Sequence, residues 1–202
     1  MRFLILLLCV CPAVLAQVGE ISISGGVSRF GDGDLGTLSE PATSPRATID
    51  GGFSLAVRLT LNTYRFFGHE FGYSYSRSTV NVPAAPVAGQ PVQPAQEYSV
   101  PVHQGVYNFL LYATPEGTRV RPFATGGGHF SSFFPPGTSV YYGNQITKIG
   151  FNYGGGLKAR VTEVWGVRVD VRQYVTGQPF DFFNQESTLR QLAITAGVSF
   201  NF

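Results

Sequence analysis

Cysteine is almost missing from this chain of 202 residues, and the two present, Cys9 and Cys11, both fall near its start. That start, MRFLILLLCVCPAVLAQ, reads as an export signal. Arg2 supplies the positive end, Phe3 to Val10 the apolar stretch, and Val14-Leu15-Ala16 a small-residue cleavage site before Gln17. The stretch is too short to cross a bilayer as a helix, which takes about 20 apolar residues. The expected organisation is therefore a cleaved signal over 1–16 and one domain over 17–202. An exported domain without cysteine is not a disulfide-stapled miniprotein.

Charge is scarce as well. Charged residues make up 13%, against about 25% in ordinary soluble domains. The formal net charge of +2 comes without a basic cluster, which removes nucleic acid from the expected partners. After residue 16 there is neither a long apolar run nor convincing helical periodicity. The three histidines, His69, His103 and His129, lie far apart, so neither metal nor cofactor is expected. Gly31-Asp32-Gly33-Asp34-Leu35-Gly36 spells a dinucleotide fingerprint, but no helix follows to meet a pyrophosphate. Asp32, Asp34 and Glu40 lack the twelve-residue calcium-loop spacing, and a flexible polar loop is expected there.

What is abundant is aromatic residues (14%) and glycine (25), and the apolar residues fall in alternation. Eight segments of strand length stand out, at about 19–30, 50–62, 66–76, 98–113, 119–131, 147–162, 164–176 and 188–202. The connections alternate short and long. Asn62 to Arg65, Thr114 to Thr118 and little more than Glu163 make the short ones; about 31–49, 77–97, 132–146 and 177–187 make the long ones. The expected fold class is all-β: an eight-stranded antiparallel up-and-down transmembrane β-barrel with short periplasmic turns and long external loops.

Alternation defines two faces, and bulk decides which one is outside. One carries Phe53, Phe71, Tyr73, Tyr75, Tyr107, Phe109, Phe151, Tyr153, Trp165, Phe200 and Phe202. An eight-stranded barrel has room only for well-fitted side chains, so this set is assigned to lipid. The other face is Gly, Ser, Ala, Thr and Asn with a few charges, and is assigned to the bore. Parity puts Glu20, Glu70 and Asp170 inside with Arg58, Arg121, Lys158, Arg160, Arg168 and Arg172. Charges in a narrow interior must be paired, so these nine are expected to form an ion-pair network that fills the bore. A narrow channel for small solutes is the alternative, and its basic excess would favour anions. The runs Gly126-Gly127-Gly128 and Gly154-Gly155-Gly156 are taken as places where strands bend or pack closely.

Several stretches invite functional readings. In His129-Phe130-Ser131 base and hydroxyl share one strand face. The element resembles the His-x-Ser of lipid A deacylases, but Ser132 follows where that family has asparagine, and parity puts His129 in the bore. A lipid A-modifying hydrolase using His129 and Ser131 is the second alternative, and no enzymatic activity is expected. The external stretches, Pro-rich Val82 to Pro94 and aromatic Phe133-Phe134-Pro135-Pro136 and Tyr141-Tyr142, suit spacers and an interfacial girdle.

The signal, the eight alternating segments, RPFATGGGHF and FNYGGGLKARVTEVWGVRVDVRQYV together resemble small OmpA-like outer-membrane β-barrel domains, over nearly the whole mature chain. The resemblance implies a bacterial outer-membrane location and a structural or surface role with binding or adhesive external loops. It implies no periplasmic peptidoglycan-binding domain. The final residues, with Thr195, Gly197, Phe200 and Phe202, resemble the terminal signal read by the barrel-assembly machinery. Expected partners are outer-membrane lipid and, during biogenesis, that machinery and periplasmic chaperones, with the barrel itself a monomer.

Overall fold

The computed structural model describes residues 18–31, 33–39, 44–84, 94–138, 144–185 and 188–202; the export-signal segment and Tyr141-Tyr142 lie outside them. The described residues hold ten strands: β1 (Val18–Phe30), β2 (Asp34–Thr37), β3 (Arg46–Asp50), β4 (Phe53–Tyr64), β5 (Phe67–Val82), β6 (Gln96–Tyr112), β7 (Val120–Phe133), β8 (Ile146–Arg160), β9 (Trp165–Gly177) and β10 (Thr188–Asn201). Eight of them, β1 and β4 to β10, pair antiparallel with their neighbours in chain order. β1 then meets β10, from Glu20↔Asn201 to Phe30↔Gln191, and closes the barrel. Closure leaves none of the eight with an unpaired edge in the membrane.

The side chains sort as the alternation requires. Ile149 on the outside is 82% exposed, whereas Arg168, opposite in chemistry, is 1% exposed inside. A soluble barrel would reverse that order, so the outward surface is built for lipid.

Two differences from expectation concern the external end. The first long connection is not a flexible polar loop. It contains the hairpin β2–β3, whose outer strand pairs with the top of β5 (Ile49↔Val80) and whose inner strand bridges to the last loop (Thr37↔Phe183). Gly33 and Gly36 have φ of 60° and 119°, which lets the chain turn and bulge where a side chain would strain it. Leu35 and Ile49 are then fully buried, and Asp34 pairs with Arg46 across the hairpin. Second, β5 runs on to Val82, well beyond the expected end at 76, and β6 begins at Gln96 rather than 98, so that the two pair up to Val82↔Gln96.

This extension changes what fills the bore. Phe30, Leu35, Ala47, Ile49, Val80, Val100, Val102, Phe133 and Leu189 form an apolar cluster at the external end, with Phe180 and Phe182 packed on it. The alternation leads one to expect a polar inward face along most of the chain. The upper part of that face is apolar because there the strands have left the lipid. An interior surrounded by water at that height is stabilised like a soluble core, by burying hydrocarbon.

Candidate functional site

Two layers occupy the bore below that cluster and above the short turns. The lower is ionic. Glu70 pairs with Arg168 and with Arg172 (2.7 Å); Asp170 pairs with Arg168 (2.6 Å) and Arg172 (2.8 Å); and Arg58 stands 3.8 Å from Asp170 and 3.9 Å from Glu70. Glu20 joins from the β1 side, 3.0 Å from Lys158 and 3.5 Å from Arg168. Thr60 receives further hydrogen bonds from Lys158 (3.3 Å) and Arg168 (3.4 Å). The lattice thus ties together β1, β4, β5, β8 and β9 across the bore.

Of the nine charges picked out by parity, eight are buried. Arg160 is not: it is exposed and donates to the Gly117 carbonyl. Alternation points it inward, but it ends β8 where the bore has already opened, and its long side chain turns to the rim. Arg121 is buried yet stands apart from the carboxylates. Its guanidinium lies over the Tyr112 ring at 3.6 Å and donates to the Arg65 carbonyl.

The room for three arginines in so narrow a tube comes from the opposite strands. Arg58 faces Gly72, Arg168 faces Gly197, and Arg172 faces Gly154, while Asp170 faces Gly156. A Cβ on Gly72 would come within 2.8 Å of Val106 Cγ2 and 3.3 Å of Arg58 Cγ. Gly72 thus leaves the space along which the Arg58 side chain runs, while a Cβ on Gly154 or Gly197 would meet the backbone of the neighbouring strand.

Above the ions lies a neutral layer. Gln104 donates to Ser131 (2.9 Å) and to Gln191 (3.0 Å) and accepts from Ser74 (3.1 Å), and Gln191 donates to Ser76 (3.2 Å). Asn108, with its amide nitrogen donating to Asn152 (3.0 Å), receives Arg172 on its oxygen (2.8 Å) and joins the two layers. Alternation already puts Asn152 and Gln191 on the polar face, whereas Gln104 and Asn108 are not singled out by it. Their signal was inward parity at large polar residues, which carries less weight than charge.

His129 and Ser131 both face the bore, and no hydrogen bond joins them among the described residues. His129 Nε2 bonds to Thr176 Oγ1 (2.9 Å), and its ring meets Tyr174 edge-on at 5.2 Å. Ser131 accepts from Gln104. His129 Nε2 and Ser131 Oγ are thus each engaged with another residue and are not joined as base and hydroxyl.

The terminal motif divides between the two faces. Thr195 is buried and receives Arg58 (3.4 Å), while Phe200 and Phe202 are exposed to lipid, Phe200 packing edge-on to Trp165 at 5.5 Å. Asp32 and Glu40 of the acidic stretch lie outside the described residues; Asp34 is engaged by Arg46 and the Gly36 amide (2.9 Å). No group of metal-binding side chains occurs among the described residues.

The family model described as outer membrane protein beta-barrel domain matches residues 3–202. No curated protein matches the chain. Among solved structures the fold is similar to the outer membrane protein OprG from Pseudomonas aeruginosa (TM-score 0.62, 14% identity, covering 92% of this chain and 97% of that one). It is also similar to Neisserial surface protein A (TM-score 0.54, 13% identity, 91% and 97%) and to outer membrane protein AlkL (TM-score 0.50, 14% identity, 92% and 89%). Identities this low speak for a shared fold alone.

Proposed function

Because the chain belongs to the outer membrane protein beta-barrel domain family, and so is a barrel of the bacterial outer membrane, we propose that it acts there as a closed, non-enzymatic monomer that displays an ordered external cap. Its role is structural and at the surface, with the external loops free to bind or adhere. The observation that carries this reading is the double closure of the bore. The Arg58–Glu70–Arg168–Asp170–Arg172 lattice crosses it at one height, and the apolar cluster around Ile49, Val100 and Phe133 crosses it at another. A solute would have to break buried ion pairs and then cross a hydrocarbon layer, and both steps are costly.

His129 and Ser131 belong, on this reading, to the hydrogen-bonded middle of the plug. The lipid partner is the outer membrane itself, met by the aromatic outer face. The barrel-assembly machinery and periplasmic chaperones are its partners in biogenesis, through Phe200, Phe202 and the β1–β10 seam. Planar-bilayer recording of the refolded chain tests the closure: a baseline without discrete steps is expected, and reproducible single-channel openings would overturn it.

A further inference from the structure

At the short-turn end the bore widens into a cavity of about 220 Å³, between the β6–β7 and β8–β9 turns. Its wall includes Asn62, Glu116, Arg119, Arg121, Lys158 and Arg160. Arg121 and Asn62 are 8% and 7% exposed, so both are more than nine-tenths buried. Arg121 has no carboxylate at ion-pair distance among the described residues. Its guanidinium is held by the Tyr112 ring and by the Arg65 carbonyl (3.3 Å), the same carbonyl that accepts from the Glu116 backbone N–H (3.0 Å). That shared carbonyl brings Glu116 beside Arg121.

Three buried polar atoms in this wall have no hydrogen-bond partner: Arg121 Nε, Asn62 Oδ1 and Glu116 Oε1. They are one donor on a cation and two acceptors. The charge balance is lopsided as well. The buried cations Arg58, Arg121, Lys158, Arg168 and Arg172 face only the buried carboxylates Glu20, Glu70 and Asp170. Lys158 and Glu20 are engaged with each other at 3.0 Å; of the remaining charges on this wall Arg119, Arg121 and Arg160 stand against Glu116 and Glu163, which leaves one positive charge in excess.

We propose that this mouth binds a small oxyanion that brings its own proton: hydrogen phosphate or, in the monoanionic form it takes below pH about 6, a phosphate monoester. A bare anion would satisfy Arg121 and be repelled by Glu116; a cation would do the reverse. A phosphate oxygen facing Arg121 and a P–OH donating to the Glu116 carboxylate or to Asn62 Oδ1 answers all three atoms together. The same logic makes the site selective. Sulfate at neutral pH has charge and shape but no proton to donate, and it leaves a carboxylate facing an anion.

The test is a titration of the refolded, full mature chain in detergent micelles, followed by backbone amide resonances. Orthophosphate and sulfate are compared at equal ionic strength. Saturable shifts with orthophosphate are expected, centred on Asn62, Glu116 and Arg121, and sulfate should bind at least about tenfold more weakly, the penalty of one buried polar group left unmatched. Glu116→Gln offers a donor in place of the carboxylate, and should bring sulfate to within about threefold of phosphate while leaving the fold intact. Arg119→Gln and Arg160→Gln, at the exposed rim, should weaken both anions alike. A third arm repeats the comparison with glycerol phosphate at about pH 5.5, where the monoester keeps a P–OH: affinity equal to or tighter than that of orthophosphate assigns the site to esterified phosphate, and weaker affinity to the free ion. Equal binding of phosphate and sulfate by the native chain, no saturation by either, or unchanged selectivity in Glu116→Gln would overturn the proposal.

Discussion

Glu70→Gln offers the sharpest test of the ionic plug. Glu70 is fully buried, and its two oxygens are shared among Arg168, Arg172 and Arg58. The substitution keeps size and shape but removes one of three buried carboxylates that face five buried cations. It also turns an amide N–H₂ toward guanidinium donors on at least one side. Removing one partner of a buried ion pair leaves an uncompensated charge and costs about 3–5 kcal/mol. The value here should sit in that range, because Asp170 remains to hold Arg168 and Arg172 but nothing else holds them from the β5 side. Equilibrium urea unfolding in lipid vesicles would measure it, with Trp165, the only tryptophan and half exposed to lipid, as the fluorescent reporter. A double substitution that also replaces Arg172 with Met should recover part of the loss, since replacing a buried ion pair by apolar side chains is often neutral. A loss below about 1 kcal/mol, the figure for solvated surface pairs, would mean that water fills the bore and screens the lattice. That result would refute the plug.

Three further outcomes follow from other parts of the barrel. Gly154→Val should cost about 1–3 kcal/mol by overpacking, because a Cβ there meets the Val171 carbonyl and lies 2.9 Å from Arg172 Cα; Gly128→Ala, with nothing within 4 Å of its Cβ, should leave the heat-modifiable mobility of the folded band unchanged. Burial acts to raise the Asp34 carboxyl, but hydrogen bonds from Arg46 and the Gly36 amide, together with the Arg46 charge, hold it below the ordinary carboxylate range. A carboxylate depressed in the fold contributes stability above its unfolded value of about 3.9 and loses it as the pH falls through that value and below. The hydrogen-exchange protection factors of β2–β3, corrected for the intrinsic slowing of exchange in acid, should therefore fall as the pH is lowered while those of the barrel strands hold, and uniform protection down to the lowest pH would count against the pairing. Deleting Phe202 should reduce the amount of folded protein in the outer membrane before it alters anything else, and wild-type levels would count against a terminal assembly signal.

How far the fold was legible follows from what lipid and bore impose on a strand. Both act with period two, so the parity of β4, β9 and β10 could be read residue by residue, and the eight barrel strands with it. Register could not, because it joins residues far apart in the chain. That Arg168 would face Gly197, and Arg172 would face Gly154, depends on pairings no local pattern displays. The external hairpin was hidden for another reason. Its four-residue strand β2 follows Gly33 and contains Gly36, both at positive φ, and such a stretch looks like a loop until Leu35 is seen buried. The apolar cluster was missed because its residues keep the inward parity while changing chemistry. Along β5 the inward series runs Glu70, Ser74, Ser76, Ser78, Val80, and only the height of the lipid explains the change. Arg160 shows the converse error, alternation extended past the point where there is still an interior.

The length of β6 has a geometric corollary. Seventeen residues at about 3.4 Å each, tilted by roughly 40° as barrel strands are, rise about 44 Å, against an apolar band of about 25 Å. Close to 20 Å of ordered sheet therefore lies beyond the hydrocarbon, and the tight turns at the other end leave most of it on the outside. The strands do not merely cross the bilayer. They form a mast, stiffened by its own dry core, that lifts the hairpin and the loops clear of the lipid headgroups, to where a large partner in solution can reach them without touching the membrane.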